Sequence, residues 1–239
     1  MSPHPTGHSA DEVRGLFTKI ARRYDFLNRA LSAGLDLRWR AILAGMLAPV
    51  APRLVLDVCA GTGDTALEIA RPARGLASVA AVDFSEPMVA LAARKVARAG
   101  VEARVLPVVG DCLCLPFADA TFDAAVVTFG VRNLEDPGAG LRELHRVLRQ
   151  GGLLGILDFF RPGGDAVAWV GAVYRRYLVP PLAIALGGDR YAYGYLPRTV
   201  DMFDSTEEFE RRLAQSGFAV EARRRLTLHV ATAIVARKA

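Results

Sequence analysis

Three carboxylates at the ends of apolar runs, with a pair of glycines beside the first, are the residues of this chain best placed to do chemistry. Asp57 lies in the run Leu54-Val55-Leu56-Asp57-Val58, which continues as Cys59-Ala60-Gly61-Thr62-Gly63-Asp64. Asp83 ends the run Ala77 to Val82, and Gly110-Asp111 ends the run Ala103 to Val109. Gly61 and Gly63 let backbone N–H groups approach a ligand that Cβ atoms would keep away. A helical pattern of Ala66, Leu67, Ile69 and Ala70 follows directly, so the stretch reads as strand, glycine turn and helix, a cradle for a nucleotide. Asp83 stands at the chain distance expected of an acid that accepts hydrogen bonds from ribose hydroxyls. The chemistry these residues suit is recognition of an adenosine-containing cofactor.

Gly61-x-Gly63-x-x-Ala66 also satisfies the looser dinucleotide fingerprint, so the loop alone leaves two cofactors open. Three features favour S-adenosylmethionine over a nicotinamide. Asp57 sits inside the end of its strand, where a carboxylate can meet a methionine ammonium directly or through water. Asp111 closes a third strand, where an adenine amino group would lie. A dehydrogenase of this length would need a Tyr-x-x-x-Lys pair for proton transfer, and the lysines, Lys19, Lys95 and Lys238, follow no tyrosine at that spacing.

The elements that must position these residues alternate regularly from Arg53 onward. Strands are expected at 54–58, 77–82, 103–109, 122–129 and 153–159. Ser85 and Pro87 open a helix whose apolar face is Met88, Val89, Ala92 and Val96. Asp136-Pro137 opens another that presents Leu141, Leu144, Val147 and Leu148 and stops at Gly151. Ser205-Thr206-Glu207-Glu208 reads as a capping box opening a helix through Leu213, stopped at Gly217. The runs 218–225 and 227–235 then form an antiparallel hairpin. The fold class predicted is α/β and Rossmann-like: a seven-stranded, mostly parallel sheet with an antiparallel C-terminal hairpin and helices on both faces.

Before this core, Ser9-Ala10-Asp11-Glu12 reads as a further capping box, and Val13, Leu16, Phe17 and Ile20 recur at helical spacing. Tyr24-Asp25-Phe26-Leu27-Asn28 is read as a break, after which Ala30 to Leu47 resumes the helix with Gly34 as an interruption. Residues 11–50 are thus expected to form a helical lid, and residues 161–204 a substrate-side insertion. The insertion carries Trp169, Val173, Tyr174, Tyr177 and Leu178, suited to core packing, a greasy substrate wall or a membrane-facing surface. Arg175-Arg176 and Pro180-Pro181 interrupt its apolar run, which argues against a membrane span.

The chain has 239 residues, 52% of them hydrophobic, enough for one domain over 11–239 after a disordered tail at 1–10. The tail has no apolar core and does not read as a signal peptide. The net charge of +5 comes from arginines spread along the chain, with Arg223-Arg224-Arg225 as the main block. That pattern gives no nucleic-acid footprint, and an anionic membrane surface is as good a partner. Cys59, Cys112 and Cys114 are too few for a disulfide framework and point to a reducing, cytoplasmic setting. Cys112-x-Cys114 has no second Cys/His pair, so no metal is expected.

Four blocks resemble the ubiquinone/menaquinone biosynthesis C-methyltransferase family, whose members are class I S-adenosylmethionine-dependent methyltransferases. They are Tyr24-Asp25-x-x-Asn28-x-x-Leu31-Ser32 with Trp39; Leu56 through Asp64; Leu115-Pro116-Phe117 with Phe122-Asp123 and Phe129-Gly130-Val131-Arg132-Asn133; and Arg146 through Gly152 on to Asp158. The resemblance implies cofactor contacts at Thr62, Asp83, Asp111, Cys112 and Thr128, beside Asp57, Gly61 and Gly63 from the loop. Thr62 and Thr128 serve equally as local backbone partners. It places the acceptor side at Tyr24, Asp25, Asn28, Arg132 and Asn133. Arg132 would then stabilise a phenolate, Asn133 orient the ring, and Asp25, or a water held by Asp25 and Tyr24, accept the proton. The competing role for Arg132 is a loop-locking pair with Glu135 or Asp136. His145 on a helix and His229 on a closing strand read as structural or solvated.

The implied reaction is methylation of a ring carbon of a reduced prenylated quinone, demethylmenaquinol above all, with a soluble aromatic natural product as the competing acceptor. A lipophilic quinol is the expected partner, and peripheral contact with the inner face of the cell membrane and self-association are compatible with it. The sequence departs from the family pattern at Asp36, where histidine is usual, at Asp158-Phe159-Phe160, where Glu-x-Ser is usual, and in the bulkier hairpin Thr227 to Ala233.

Overall fold

The computed structural model describes residues 10–71, 77–163, 167, 171, 173–186 and 197–239. The capping residue Ser9, most of the expected tail, Trp169 and much of the 161–204 insertion lie outside these.

Helix α1 (Ala10–Ser32) runs without the break expected at Tyr24–Asn28. Leu16, Ile20, Tyr24, Leu27 and Leu31 keep one helical stripe through that segment, and Leu16, Leu27 and Leu31 are buried. The chain turns instead at Ala33 and Gly34, both at positive φ. Helix α2 (Leu35–Leu47) follows, burying Trp39, Leu43, Ala44 and Leu47.

The core alternates as expected: β1 (Leu54–Val58), α3 (Asp64–Ile69), β2 (Ser78–Asp83), α4 (Glu86–Ala99), β3 (Val105–Val109), β4 (Phe122–Thr128), α5 (Pro137–Val147) and β5 (Leu148–Asp158). A short α6 (Val179–Ala185) lies in the insertion, and α7 (Thr206–Gln215) leads to β6 (Phe218–Leu226) and β7 (Ala231–Lys238). The Ser205–Glu208 capping box is present in full. Ser85 precedes α4 without capping it through its side chain: its hydroxyl lies 3.3 Å from Thr18 Oγ1 of α1, and its N–H donates to the Asp83 carboxylate.

The seven strands are ordered β3-β2-β1-β4-β5-β7-β6. Strands β1 to β5 pair in parallel, and β7 inserts antiparallel between β5 and β6. Consecutive strands step away from β1 in one direction and then from β4 in the other, so the crevice opens where the order reverses, at the C-terminal ends of β1 and β4. His229 falls in the turn between β6 and β7, not on a strand: Thr227, Leu228 and His229 all take positive φ, and the Val230 N–H closes the turn on Thr227. Alternation in the sequence cannot mark such a turn, because its residues are as strand-like as their neighbours.

Side-chain parity divides the core into two faces. Leu56 and Val58 pack with Leu141 and Leu144 of α5 and with Phe209 and Leu213 of α7. Val55, Ala124 and Val126 pack on the other face with Trp39, Leu43 and Leu47 of α2 and Ala66 and Ile69 of α3. Asp57 and Thr128 share the parity of this second group and so point toward α2 and α3. A third cluster joins α1 to α6 through Leu16, Leu27, Leu31, Val179 and Ala183. Among the described residues no helix is long and apolar enough to cross a membrane.

Candidate functional site

A cleft of about 820 Å³, measured out to its open mouth, lies at this reversal point. One wall is built by Gly61, Asp83, Gly110, Asp111 and Cys112, the other by Tyr24, Thr128, Phe129, Gly130 and Asn133. Cys59 and Phe129, the residues just past β1 and β4, hold φ of 55° and 57° and line it. Left-handed backbone in non-glycine residues is costly and collects at functional sites. Gly130 allows the two turns to meet, since a Cβ there would collide with Cys59. At Gly61 (φ 56°) a Cβ would meet only open space, which leaves the turn's backbone accessible to a ligand.

Asp83 is held rigidly at the tip of β2: Oδ2 accepts from the Gly61 N–H at 2.8 Å and Oδ1 from the Ser85 N–H at 2.9 Å. Burial pushes its pKa up, and the two backbone donors oppose that. Each oxygen retains acceptor capacity toward the cleft. Asp111 lines the cleft, and its Oδ1 accepts from the Leu113 N–H at 2.9 Å. Cys112 is a buried part of the same wall. Among the described residues no Cys/His/acid cluster could hold a metal ion.

Asp57 lies behind the wall, fully buried, with neither carboxylate oxygen hydrogen-bonded. Burial pushes its pKa up to about 7, against the opposing Arg40 charge and the Ala66 amide, which eases the carboxylate without closing a hydrogen bond. Asp83 and Asp64 add repulsion. A carboxyl whose folded pKa exceeds its unfolded value of 3.8 favours the folded state below that value, and the contribution is lost as pH rises through 7. The shift corresponds to about 4 kcal/mol. Asp57→Asn is therefore expected to raise the melting temperature of the ligand-free protein at pH 8 by several degrees, with the gain shrinking toward pH 4. Calorimetric melts across that range would count against the assignment if the gain were absent or independent of pH.

Arg132 does not pair with Glu135 or Asp136. It is buried, its Nη1 pairs with Asp158 Oδ1 at 2.5 Å and donates to the Phe129 carbonyl at 2.9 Å, and its Nε has no partner. Asn133 lines the cleft beside it, with Nδ2 donating to the same carbonyl at 3.3 Å. The Tyr24 side chain also lines the cleft; burial raises its pKa, opposed by Arg40, a hydrogen bond with Asn28, and Arg132. Asp25 is directed elsewhere. It pairs with Lys95 at 2.8 Å and accepts from Thr62 Oγ1 at 2.5 Å. Lys95 also pairs with Asp64, and Arg29 pairs with both Asp64 and Asp36, so a polar network ties α1 to the glycine turn. Thr62 and Gly63 belong to that network and turn, and neither is part of the cleft wall.

Sequence reasoning missed Lys95, Arg29 and, above all, Arg40. Arg40 is 6% exposed, donates through Nη1 to Thr65 Oγ1 and to Thr128 Oγ1 (2.7 Å), and lies over the Phe129 ring. Its signal was present: position 40 falls inside the apolar stripe of Trp39, Leu43, Ala44 and Leu47, where a charge must be buried.

A doubly wound sheet with a reversed seventh strand, a glycine turn after β1, and acids ending β2 and following β3 define the class: a Rossmann-like methyltransferase that uses S-adenosylmethionine. The profile of the ubiE/COQ5 methyltransferase family matches residues 6–238, and the chain belongs to that family. Among its relatives, a demethylmenaquinone methyltransferase of Thermus thermophilus is 43% identical over 205 residues, 86% of this chain and 92% of that protein. A ubiquinone/menaquinone biosynthesis C-methyltransferase of Geobacter sulfurreducens is 41% identical over 222 residues, 93% of this chain and 86% of that protein. In fold the chain is also similar to a solved SAM-dependent methyltransferase from Aquifex aeolicus, 21% identical with a TM-score of 0.57 over 78% of this chain and 82% of that one.

Proposed function

We propose that the protein methylates a ring carbon of a reduced prenylated quinone, demethylmenaquinol, with S-adenosylmethionine as donor. One observation carries the reading: the acidic wall of Asp83 and Asp111 and the wall of Tyr24, Phe129 and Asn133 bound a single continuous cleft. Donor and acceptor sites are thereby adjacent. The names of the relatives at 43% and 41% identity support the acceptor class.

The residues suit the donor. Asp57 is a buried carboxylate in want of a cation, Asp83 has acceptor capacity for ribose hydroxyls, and the open turn at Gly61 admits a ligand against its backbone. When bound, the donor supplies an electrophilic methyl on a positively charged sulfur. The chain's own residues must make the acceptor carbon electron-rich and hold it in line, which is where most of the acceleration arises. Arg132 has its Nη1 anchored by Asp158 and an unpartnered Nε. Arg132, buried behind the cleft wall rather than on it, supplies the positive charge that stabilises the phenolate form of the quinol, and Asn133 and Tyr24 orient the ring. Asp25, held by Lys95 and Thr62, fixes α1 over the turn rather than taking the proton. Phe129 and Phe159, stacked at 4.9 Å, keep water from this side. Tyr177, Leu178, Leu182 and Ile184 are exposed around α6, and they suit peripheral contact with the membrane in which such a quinol dissolves.

The test is turnover with methyl-labelled donor and two acceptor sets, prenylated naphthoquinols and non-prenylated phenols, each kept reduced. Label on the ring carbon of the prenylated naphthoquinol is the expected result. Label on a phenolic oxygen, or transfer to the soluble phenols alone, would overturn the reading.

A further inference from the structure

Two of the three thiols of the chain meet in the cleft, and no step of the methylation uses either sulfur. Cys59 follows β1, and Cys112 follows Asp111 after β3. Both line the cleft and both belong to one apolar cluster, Cys112 buried within it and Cys59 packed at its margin. The Cys59 thiol hydrogen-bonds to Cys112, so the two sulfurs are direct neighbours although they lie far apart in the chain. Each is also set against a wall. Cys59 packs on Gly130, which has no room for a Cβ because of it, and the Cys112 sulfur faces Gly140 of α5. The pair thus bridges the Asp111 wall and the Gly130 wall, between which the donor binds. Both are free thiols, and Cys59 is only half-buried, so a small oxidant entering by the mouth of the cleft reaches it.

We propose that Cys59 and Cys112 form a reversible disulfide that switches donor binding off, with hydrogen peroxide as the oxidant. Peroxide is small enough for the cleft, whereas buried Cys112 is closed to a bulky disulfide such as that of glutathione. The Cys59 sulfur attacks one peroxide oxygen. The O–O bond breaks, the departing oxygen leaves as water with the thiol proton, and a sulfenic acid remains. The Cys112 sulfur then attacks the Cys59 sulfur, an S–S bond replaces the S–O bond, and the hydroxyl leaves as water with the second thiol proton. Two thiols and one peroxide give one disulfide and two waters. The hydrogen bond to Cys112, and burial after it, push the Cys59 thiol well up, which keeps the pair reduced until peroxide is abundant. An S–S bond of about 2.05 Å is shorter than any contact between two thiols, so forming it draws the turn after β1 toward the turn after β3. Gly61 and Asp111 lie on those turns, and the cleft narrows between them. The rival role for the pair is plain packing, as for most buried cysteines.

The test uses the full chain carrying Cys114→Ser, which removes the exposed thiol without touching the cleft lining. Protein treated with peroxide is alkylated, digested without reductant and read by mass spectrometry, and its affinity for S-adenosylhomocysteine is measured by calorimetry before and after. The expected result is a peptide pair linked through Cys59 and Cys112, an affinity lowered on the order of tenfold, and recovery with dithiothreitol. Saturating S-adenosylhomocysteine covers the pair and slows its oxidation. In Cys112→Ala no second sulfur resolves the sulfenic acid, and dimedone labels Cys59; should that variant not fold, the Cys114→Ser protein decides alone. Sulfinic or sulfonic acid in place of the link, or a link that leaves the affinity unchanged, overturns the switch. The switch rests on the donor assignment above: a missing link in a protein that binds S-adenosylhomocysteine defeats the switch alone, whereas unoxidised protein that binds none defeats that assignment.

Discussion

Replacing Asp83 with alanine is expected to lower S-adenosylmethionine affinity at least about 100-fold, to the point where calorimetry records no saturable heat. Two effects combine. The carboxylate presents its remaining acceptor positions to the cleft, where two vicinal hydroxyls of a ribose can be held at once, and hydrogen bonds to a charged group are each worth about 1.5–3 kcal/mol. The same oxygens also fix the Gly61 and Ser85 N–H groups, so truncation loosens the glycine turn and the start of α4 together. Asp83→Asn keeps the shape and one acceptor oxygen and should lose less. Burial already raises the Asp83 pKa, and bound hydroxyls would draw it back down, so cofactor should bind with proton release at acidic pH. Retained saturable binding in the alanine variant, with an unchanged melting temperature, would place the ribose elsewhere.

The strands and the glycine turn were legible because each announces itself locally: an apolar run, a residue at its end, a φ that glycine tolerates. Asp57, Asp83 and Asp111 could be singled out on that basis, and Asp83 and Asp111 line one wall. What could not be read was partnership across long chain separations. Asp25 stood in a promising motif, yet which way it faces depends on Lys95, 70 residues away on α4. Thr62 likewise turns to Asp25 of α1. The uninterrupted α1 was misread because Tyr24, Asp25 and Asn28 dilute the apolar pattern, although the stripe of Leu27 and Leu31 passes through them. Helix starts announced by a cap, at Ser205 and Asp136, were placed to the residue. The turn at Thr227 to His229 carries no glycine or proline and was not.

The departures from the family pattern become intelligible in the same physical terms. Asp36 accepts from Ser32 Oγ at 2.9 Å and pairs with Arg29, so it joins the network that draws α1 and α2 to the glycine turn. Asp158, in place of a glutamate, reaches Arg132 across the end of β5, and Phe159 stacks where Arg132 lies over the ring. Thr227 accepts from the Trp39 indole at 2.9 Å, which anchors the bulky hairpin turn against α2. Each change supports a residue of the site from behind rather than lining the cleft.

Arg132→Ala is expected to leave cofactor affinity intact and to reduce turnover by about 10²–10³-fold, the loss seen when a donor to a developing oxyanion is removed. It carries a second consequence. Asp158 is wholly buried against Arg132, and burial pushes its pKa up with the Arg132 charge as the main opposing effect. Removing the arginine strands that carboxylate, which costs about 3–5 kcal/mol of stability. A loss of activity in the single variant would thus confound chemistry with unfolding. The double variant Arg132→Met with Asp158→Leu separates them, because a buried ion pair exchanged for apolar side chains of similar size is often neutral in stability. Its melting temperature should return toward that of the parent while turnover stays low, and S-adenosylhomocysteine should bind as before. If the double variant turned over at the parent's rate, the Arg132–Asp158 pair would be scaffolding alone, and the phenolate would have to be stabilised by Tyr24 and Asn133 without it.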